Sequence, residues 1–74
     1  MVFSDRVEEV CREFNSIHAH KRAKQTPRNM IEVLEAQEQT INFCLGMLGI
    51  PVVRDSCGYI TAFQIMGGFK EVRS

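Results

Sequence analysis

The sequence predicts a helix-dominated α+β fold, in which two antiparallel helices precede a C-terminal β-hairpin or short meander at about residues 51–72. Apolar residues recur at helical spacing over the first two-thirds of the chain, and the apolar period becomes that of a strand after Pro51. Punctuating residues at Thr26-Pro27 and Gly49-Ile50-Pro51 separate these parts. With 74 residues, the chain is expected to form one small domain, 1–74.

The first helix is predicted over about residues 4–23. Its apolar side chains follow the spacing i, i+3, i+4, i+7, i+10, i+11, which places them along one side of a helix. They are Val7, Val10, Cys11, Phe14, Ile17 and His18. A helix with one such stripe buries one face and leaves the other in solvent.

The second helix is predicted over about residues 27–48, with a signal at each end. Thr26 is expected to cap its N-terminus, and Pro27 suits the first helical position because the N–H it lacks would be unpaired there. At the other end, Gly49 is expected to adopt a left-handed conformation, and Pro51 forbids continuation of the helix.

This second helix is apolar over an unusually wide part of its circumference. One predicted stripe comprises Met30, Leu34, Ile41, Cys44, Leu45 and Leu48, and the opposite, polar stripe comprises Arg28, Glu32, Glu35, Gln39 and Asn42. The C-terminal half is apolar nearly all round, which is typical of a helix that is buried nearly all round. A chain this small offers too little cover, so we expect it to self-associate as a homo-oligomer.

Gln37 interrupts the apolar stripe, and two interpretations stay open. It can be a partly exposed position near a helix crossing, where water satisfies its amide. Alternatively, it can set the register of a paired helix, as single polar residues do in the seams of coiled coils.

The last third of the chain is predicted to be a sheet. Strands are expected at 52–53, 59–66 and 69–72, with turns at 55–58 and 67–68. Strict alternation would place Tyr59, Thr61, Phe63 and Ile65 on one face and Ile60, Ala62, Gln64 and Met66 on the other. A helix over 59–66 is the competing interpretation, but the clustering of β-branched and aromatic residues favours a strand.

Composition argues against several classes of function. Nine basic residues balance nine acidic ones, so the chain has no net positive charge to attract nucleic acid. A nucleic-acid-binding regulator is therefore the least favoured of the binding hypotheses. No apolar run approaches the roughly 18–20 residues of a membrane span. We therefore expect a soluble protein without a membrane partner.

The cysteines and histidines do not suggest a disulfide or a metal site. There are three cysteines, and the closest pair, Cys44 and Cys57, shows no Cys-x-x-Cys spacing. The chain turns polar at Ser4, which argues against a secretory signal, so we expect free thiols and a cytoplasmic location. His18 and His20 are two apart and point in different directions on a helix. The sequence therefore predicts neither a metal nor another cofactor.

Catalysis finds no support in the residue pattern. The sequence contains no Gly-x-Gly-x-x-Gly or P-loop motif, and nothing suggests an orienting group for a Cys–His nucleophile. The carboxylates of Glu32, Glu35 and Glu38 are expected along an exposed helix face and outside any cleft. We therefore expect a non-enzymatic protein with no catalytic residues.

Positive charge is concentrated at the junction between the two predicted helices. No acidic residue lies between Glu13 and Glu32, and the free N–H groups of the second helix point into the same region. This combination predicts an anion site, for a small molecule such as a nucleotide or for an acidic protein surface. The candidate ligand-binding residues are His20, Lys21, Arg22, Lys24, Thr26, Arg28 and, as a stacking ring at the hairpin tip, Tyr59. The alternative is that the cations are solvated and the tyrosine ring packs inward.

Two hypotheses about function follow from these features. The first is a small oligomeric binding protein that sequesters or senses an anionic, possibly nucleotide-like ligand at the basic junction. The second is a protein-interaction module, such as an inhibitor or accessory subunit, which uses apolar area on the second helix or a sheet edge.

Overall fold

The computed structural model describes residues 3–72 and confirms the predicted fold class. Two helices precede a three-stranded antiparallel sheet whose strands lie in chain order, so the C-terminal part is a meander. The elements are α1 (Phe3–Arg22), α2 (Arg28–Met47), β1 (Val52–Arg54), β2 (Ile60–Ile65) and β3 (Gly68–Glu71). Neither helix of this part of the chain is long and apolar enough to cross a membrane.

The C-terminus of α2 ends as its sequence predicts. Gly49 has a φ of 69°, the left-handed conformation that glycine adopts without steric cost. The Ile50 N–H donates to the Leu45 carbonyl at 3.1 Å, and the Gly49 N–H donates to the Gly46 carbonyl at 3.1 Å. These two bonds form a Schellman motif and satisfy carbonyls that the end of the helix would otherwise leave unpaired.

The N-terminus of α2 differs from the prediction, because Thr26 does not cap it. Pro27 is the capping residue, in an extended conformation, and no side chain bonds to the first turn. The Thr26 hydroxyl instead donates to the His20 carbonyl at 2.6 Å, and its N–H donates to the Ala23 carbonyl at 3.2 Å. The extended Pro27 places Thr26 outside α2, where its donors bond to one carbonyl in the last turn of α1 and to one just after that helix.

Both helices contribute to a core that covers one face of the sheet. The buried cluster contains Val7, Cys11 and Phe14 from α1, Leu45 from α2, and Ile60 and Phe63 from β2. Arg54 of β1 ties α2 to the sheet, since its guanidinium donates to the Asn42 side chain. The Arg54 guanidinium also lies 4.7 Å from the centre of the Phe14 ring, where a cation–π contact is favourable.

A β-bulge at Thr61 corrects the predicted alternation of β2. Val53 pairs with Ala62, but Arg54 pairs with Ile60, so Thr61 is an extra residue in the ladder. Ile60 and Phe63, which strict alternation would place on opposite faces, are consequently both buried, at 1% and 0% exposed.

The buried face of α2 is also rotated from the predicted stripe. Leu34, Glu38 and Leu45 are buried, whereas Met30, Cys44 and Leu48 are exposed. The expectation that Glu38 lies on an exposed face was therefore wrong, because only 7% of this residue is exposed. The carboxylate points inward, where Lys21 and His18 of α1 bond to it.

Phe63→Ala is expected to lower the free energy of unfolding by about 3–5 kcal/mol, because it removes a ring from a closed core. Phe69→Ala is a matched control in the next strand, since Phe69 is 63% exposed and Phe63 is 0% exposed. The control should change the free energy by only about 0.5 kcal/mol. Urea unfolding followed by circular dichroism measures both values, and equal losses would contradict the assigned core.

Candidate functional site

A buried ion cluster joins α1 to α2, and we call His18, Lys21 and Glu38 the interhelix cluster. The Lys21 ammonium donates to Oε1 of Glu38 at 2.8 Å, and Nδ1 of His18 bonds to Oε2 at 2.5 Å. The exposed fractions of the three side chains are 24% for Lys21, 13% for His18 and 9% for Glu38. Both carboxylate oxygens are therefore paired in a place with little access to water.

The second ring nitrogen of His18 connects this cluster to the turn between β1 and β2. Nε2 lies 2.7 Å from the carbonyl oxygen of Cys57, which is an acceptor. Both ring nitrogens of His18 therefore have an oxygen partner, one on α2 and one in the turn. Gly58 has a φ of 93°, and a Cβ there would lie 3.1 Å from Nε2 of His18. The turn thus needs glycine both for its conformation and for its closeness to the ring.

The electrostatics of Glu38 follow from these contacts. Burial alone would raise the pKa of the Glu38 carboxyl, but hydrogen bonds and positive charge from Lys21 and His18 outweigh burial and hold this pKa below its usual range. The carboxylate stays ionised and saturated with donors. Such a carboxylate is poorly placed to act as a general base, because each of its oxygens already accepts a hydrogen bond that a substrate proton would have to displace.

Arg22 and Tyr59, two of the predicted ligand-binding residues, contact each other. The guanidinium lies 5.8 Å from the centre of the tyrosine ring and donates to the Cys57 carbonyl at 3.3 Å. A hydrogen bond with the Cys57 side chain raises the pKa of Arg22 above its usual value. The Tyr59 ring also contacts the His18 ring edge-on, with 4.8 Å between the two ring centroids. These contacts already occupy part of the ring that the sequence suggested for stacking on a base.

The remaining junction residues face solvent. The side chains of His20, Lys24 and Arg28 are exposed, and within residues 3–72 none of the three has a hydrogen-bonding or charged partner. They lie around the start of α2, where no side chain caps the helix. The junction is therefore divided: Lys21, Arg22 and Tyr59 serve internal contacts, while His20, Lys24 and Arg28 are available to a ligand.

Sequence reasoning missed Glu38, although a signal for its burial was present. Residues 34, 38, 41 and 45 follow the spacing of one helix face, and the other three are Leu, Ile and Leu. A carboxylate in the middle of such a face indicates a buried ion pair, provided that a cation can reach it. That cation comes from Lys21, 17 positions away.

A second feature of α2 is a row of uncovered side chains, which we call the outer stripe. Its members alternate three and four positions apart: Met30, Val33, Gln37, Thr40, Cys44 and Met47. All of them are exposed, and Met30, Val33 and Met47 are 40%, 51% and 75% exposed. A groove of about 380 Å³ runs between this stripe and Ile17 of α1, and Ile41 lines it as well.

A larger groove lies on the other side of α1, beside Tyr59. It measures about 540 Å³, and Arg12, Ser16 and Thr61 are among its lining residues. Asn15, another lining residue, uses its amide to bond both the N–H and the carbonyl of Ile60, at 2.8 and 2.9 Å. The Asn15 side chain is thus engaged in joining α1 to β2.

Comparisons with known proteins add no assignment. No family model matches the chain, and neither a curated protein nor a solved structure matches it. Residues 3–72 contain no group of three or more His, Cys, Asp or Glu side chains placed to hold a metal ion. The functional argument therefore rests on the chain's own geometry.

Glu38→Gln is expected to lower the free energy of unfolding by about 3 kcal/mol at neutral pH, because it leaves the partly buried Lys21 ammonium without its counterion and removes the carboxylate partner of His18. Glu35→Gln is the matched control, since Glu35 lies on the same helix and is exposed. Thermal and urea unfolding of the three proteins measure the difference. Equal stability of Glu38→Gln and Glu35→Gln would contradict the structural role of the cluster.

The same pair of proteins tests the sign of the pKa shift. Because the pKa of Glu38 is lowered by folding, its contribution is complete above the unfolded-state pKa, about 4.3, and is lost as the pH falls through the lower folded-state value. The stability gap between wild type and Glu38→Gln should be present at about pH 6 and shrink below about pH 4. A gap that grows on acidification would contradict this assignment.

Proposed function

We propose that this chain is a non-enzymatic protein-interaction module that docks through the outer stripe of α2. The observation that carries the proposal is a row of six exposed side chains, four of them apolar, at alternating three- and four-residue spacing along the helix. This is the spacing with which one helix packs into the groove of another. An inhibitor or an accessory subunit would work through a surface of this kind.

The regular spacing of the outer stripe distinguishes it from ordinary surface exposure. Single exposed apolar residues are common on folded proteins, whereas here two apolar pairs, Met30 with Val33 and Cys44 with Met47, flank two polar residues on one side of the helix. The stripe covers residues 30–47, which is about 26 Å of helix. The groove beside it adds Ile17 and Ile41 as walls into which side chains of a partner can insert.

The state of the titratable groups supports a binding role over a catalytic one. Both carboxylate oxygens of Glu38 and both ring nitrogens of His18 have bonding partners. The atom of Cys57 that His18 contacts is the backbone carbonyl oxygen. His18 and Glu38 are therefore engaged in bonds within the fold, which disfavours acid–base or nucleophilic chemistry at this place.

Affinity capture with three baits tests the proposal. Met47→Lys places a charge on the outer stripe at a residue that is 75% exposed, so it should leave the fold intact and abolish docking. The double variant Lys24→Glu/Arg28→Glu is the matched control, because it alters charge at exposed positions away from the stripe. We expect a protein captured by the wild type to be retained by the control and reduced at least about tenfold on Met47→Lys.

Two results would contradict this proposal. One is a captured protein that binds Met47→Lys as well as the wild type. The other is that no protein, including an untagged copy of this chain offered to the baits, distinguishes the two. Circular dichroism and thermal unfolding of each bait establish that the comparison is made between folded proteins.

A second candidate function is capture of an anion at the junction. It is supported by the exposed Lys24 and Arg28 side chains beside the start of α2, whose first turn has no side-chain cap. Cations and free backbone N–H groups are the donors that phosphate prefers. Lys21 is less available for such a ligand, because it already bonds to Glu38.

Thermal shift against inorganic phosphate, ADP and ATP tests this second candidate. A ligand at a hundredfold its Kd should stabilise the fold by about 2.7 kcal/mol and raise Tm by about 10 °C or more. Lys24→Ala/Arg28→Ala should remove the shift without lowering the Tm of the free protein. Absence of any shift at millimolar anion, or a shift that survives in the double variant, would exclude the junction as the site.

A further inference from the structure

The outer stripe repeats every seven residues. Met30, Gln37 and Cys44 form one series, and Val33, Thr40 and Met47 form the other. Two such positions in every seven make the seam of a coiled coil, in which side chains of one helix insert between those of another. The stripe therefore has the form of one half of a helix pair.

An antiparallel pair about a two-fold axis makes this seam match itself. With the axis midway between Gln37 and Thr40, Met30 meets Met47 of the second copy and Val33 meets its Cys44. The two polar positions, Gln37 and Thr40, meet each other across the axis. Large side chains thus lie against large ones, intermediate against small, and polar against polar, which is what a two-fold interface requires.

The polar pair at the axis is chemically complementary. The Thr40 hydroxyl donates its hydrogen to the Ala36 carbonyl at 2.9 Å, so its lone pairs remain as acceptors. The Gln37 amide supplies N–H donors to such an acceptor. An amide buried in the seam without a partner costs about 1–3 kcal/mol, so this pair would favour the antiparallel register over shifted ones.

The available area is at the small end of the range for dimer interfaces. Two 20-residue helices side by side offer at most a face about 30 Å long and about 20 Å wide, roughly 600 Å² in projection, and the outer stripe is the part of it on α2. A standard interface buries about 800 Å² on each partner. The core of residues 3–72 contains only seven buried apolar side chains, so further burial between copies would add materially to stability.

We propose that the partner of the outer stripe is a second copy of this chain, paired antiparallel through α2 with Gln37 and Thr40 at the two-fold axis. This inference rests on the proposed function, because it names the occupant of the same docking surface.

Solution mass from sedimentation or light scattering is the first test. At about 100 µM the wild type is expected to be a dimer, and Val33→Glu and Cys44→Lys should each raise the dimer Kd at least about 30-fold. Gln39→Glu and Gln39→Lys introduce the same charges at an exposed position away from the stripe and should leave the Kd within about threefold. Met47→Lys serves as a further disrupting variant should either of the first two fail to fold.

The double variant Val33→Glu/Cys44→Lys tests the orientation. Within one chain the two positions are about 16 Å apart along the helix, too far for their charges to bond. In the antiparallel dimer each introduced glutamate meets the introduced lysine of the other copy, so the double variant should bind at least about tenfold more tightly than either single variant.

Each outcome decides the inference. Pairing through α2 is overturned if the wild type is monomeric, or if the dimer tolerates Val33→Glu and Met47→Lys. The antiparallel register is overturned if the double variant binds no more tightly than the single variants. The capture experiment separates this failure from that of the proposed function. If the wild type is monomeric but Met47→Lys loses a captured protein, only the identity of the partner is wrong.

Discussion

A single ionised carboxylate, held between the helices, governs the arrangement of this domain. Glu38 receives bonds from two residues of α1, and one of them, His18, also bonds to the turn between β1 and β2. Three parts of the chain that are distant in sequence thus converge on one charge. Burying an ion is unfavourable unless its partners are in place, so the cluster specifies one packing of α2 against α1 more strongly than apolar contacts alone would.

The cluster also determines which side of α2 remains uncovered. With Glu38, Leu34 and Leu45 turned inward, the outer stripe points away from the core. The buried ion cluster and the exposed stripe thus lie on different sides of one helix, and the position of Glu38 fixes both.

The basic junction illustrates how tertiary contacts redistribute function among neighbouring residues. Lys21 and Arg22 point toward internal acceptors, because α1 presents them to Glu38 and to the turn at Cys57. Lys24 and Arg28 lie beyond those acceptors and stay in solvent. The cations that follow one another in the sequence therefore differ in role. Lys21 and Arg22 make bonds within the fold, whereas Lys24 and Arg28 can bind an external ligand without breaking such bonds.

The sequence by itself determined the class of fold, the helix and strand bounds to within a residue or two, and the glycine-based end of α2, because local spacing and backbone preference decide these features. It also indicated that α2 has more apolar surface than one chain covers. Only the tertiary structure decided that Glu38 is buried, that Thr61 forms a bulge and that Thr26 serves α1. The hydrogen-bonding partners behind these outcomes lie 6 to 39 positions away in the sequence, and the bulge depends on how β1 pairs with β2. Local sequence patterns do not specify such distant contacts.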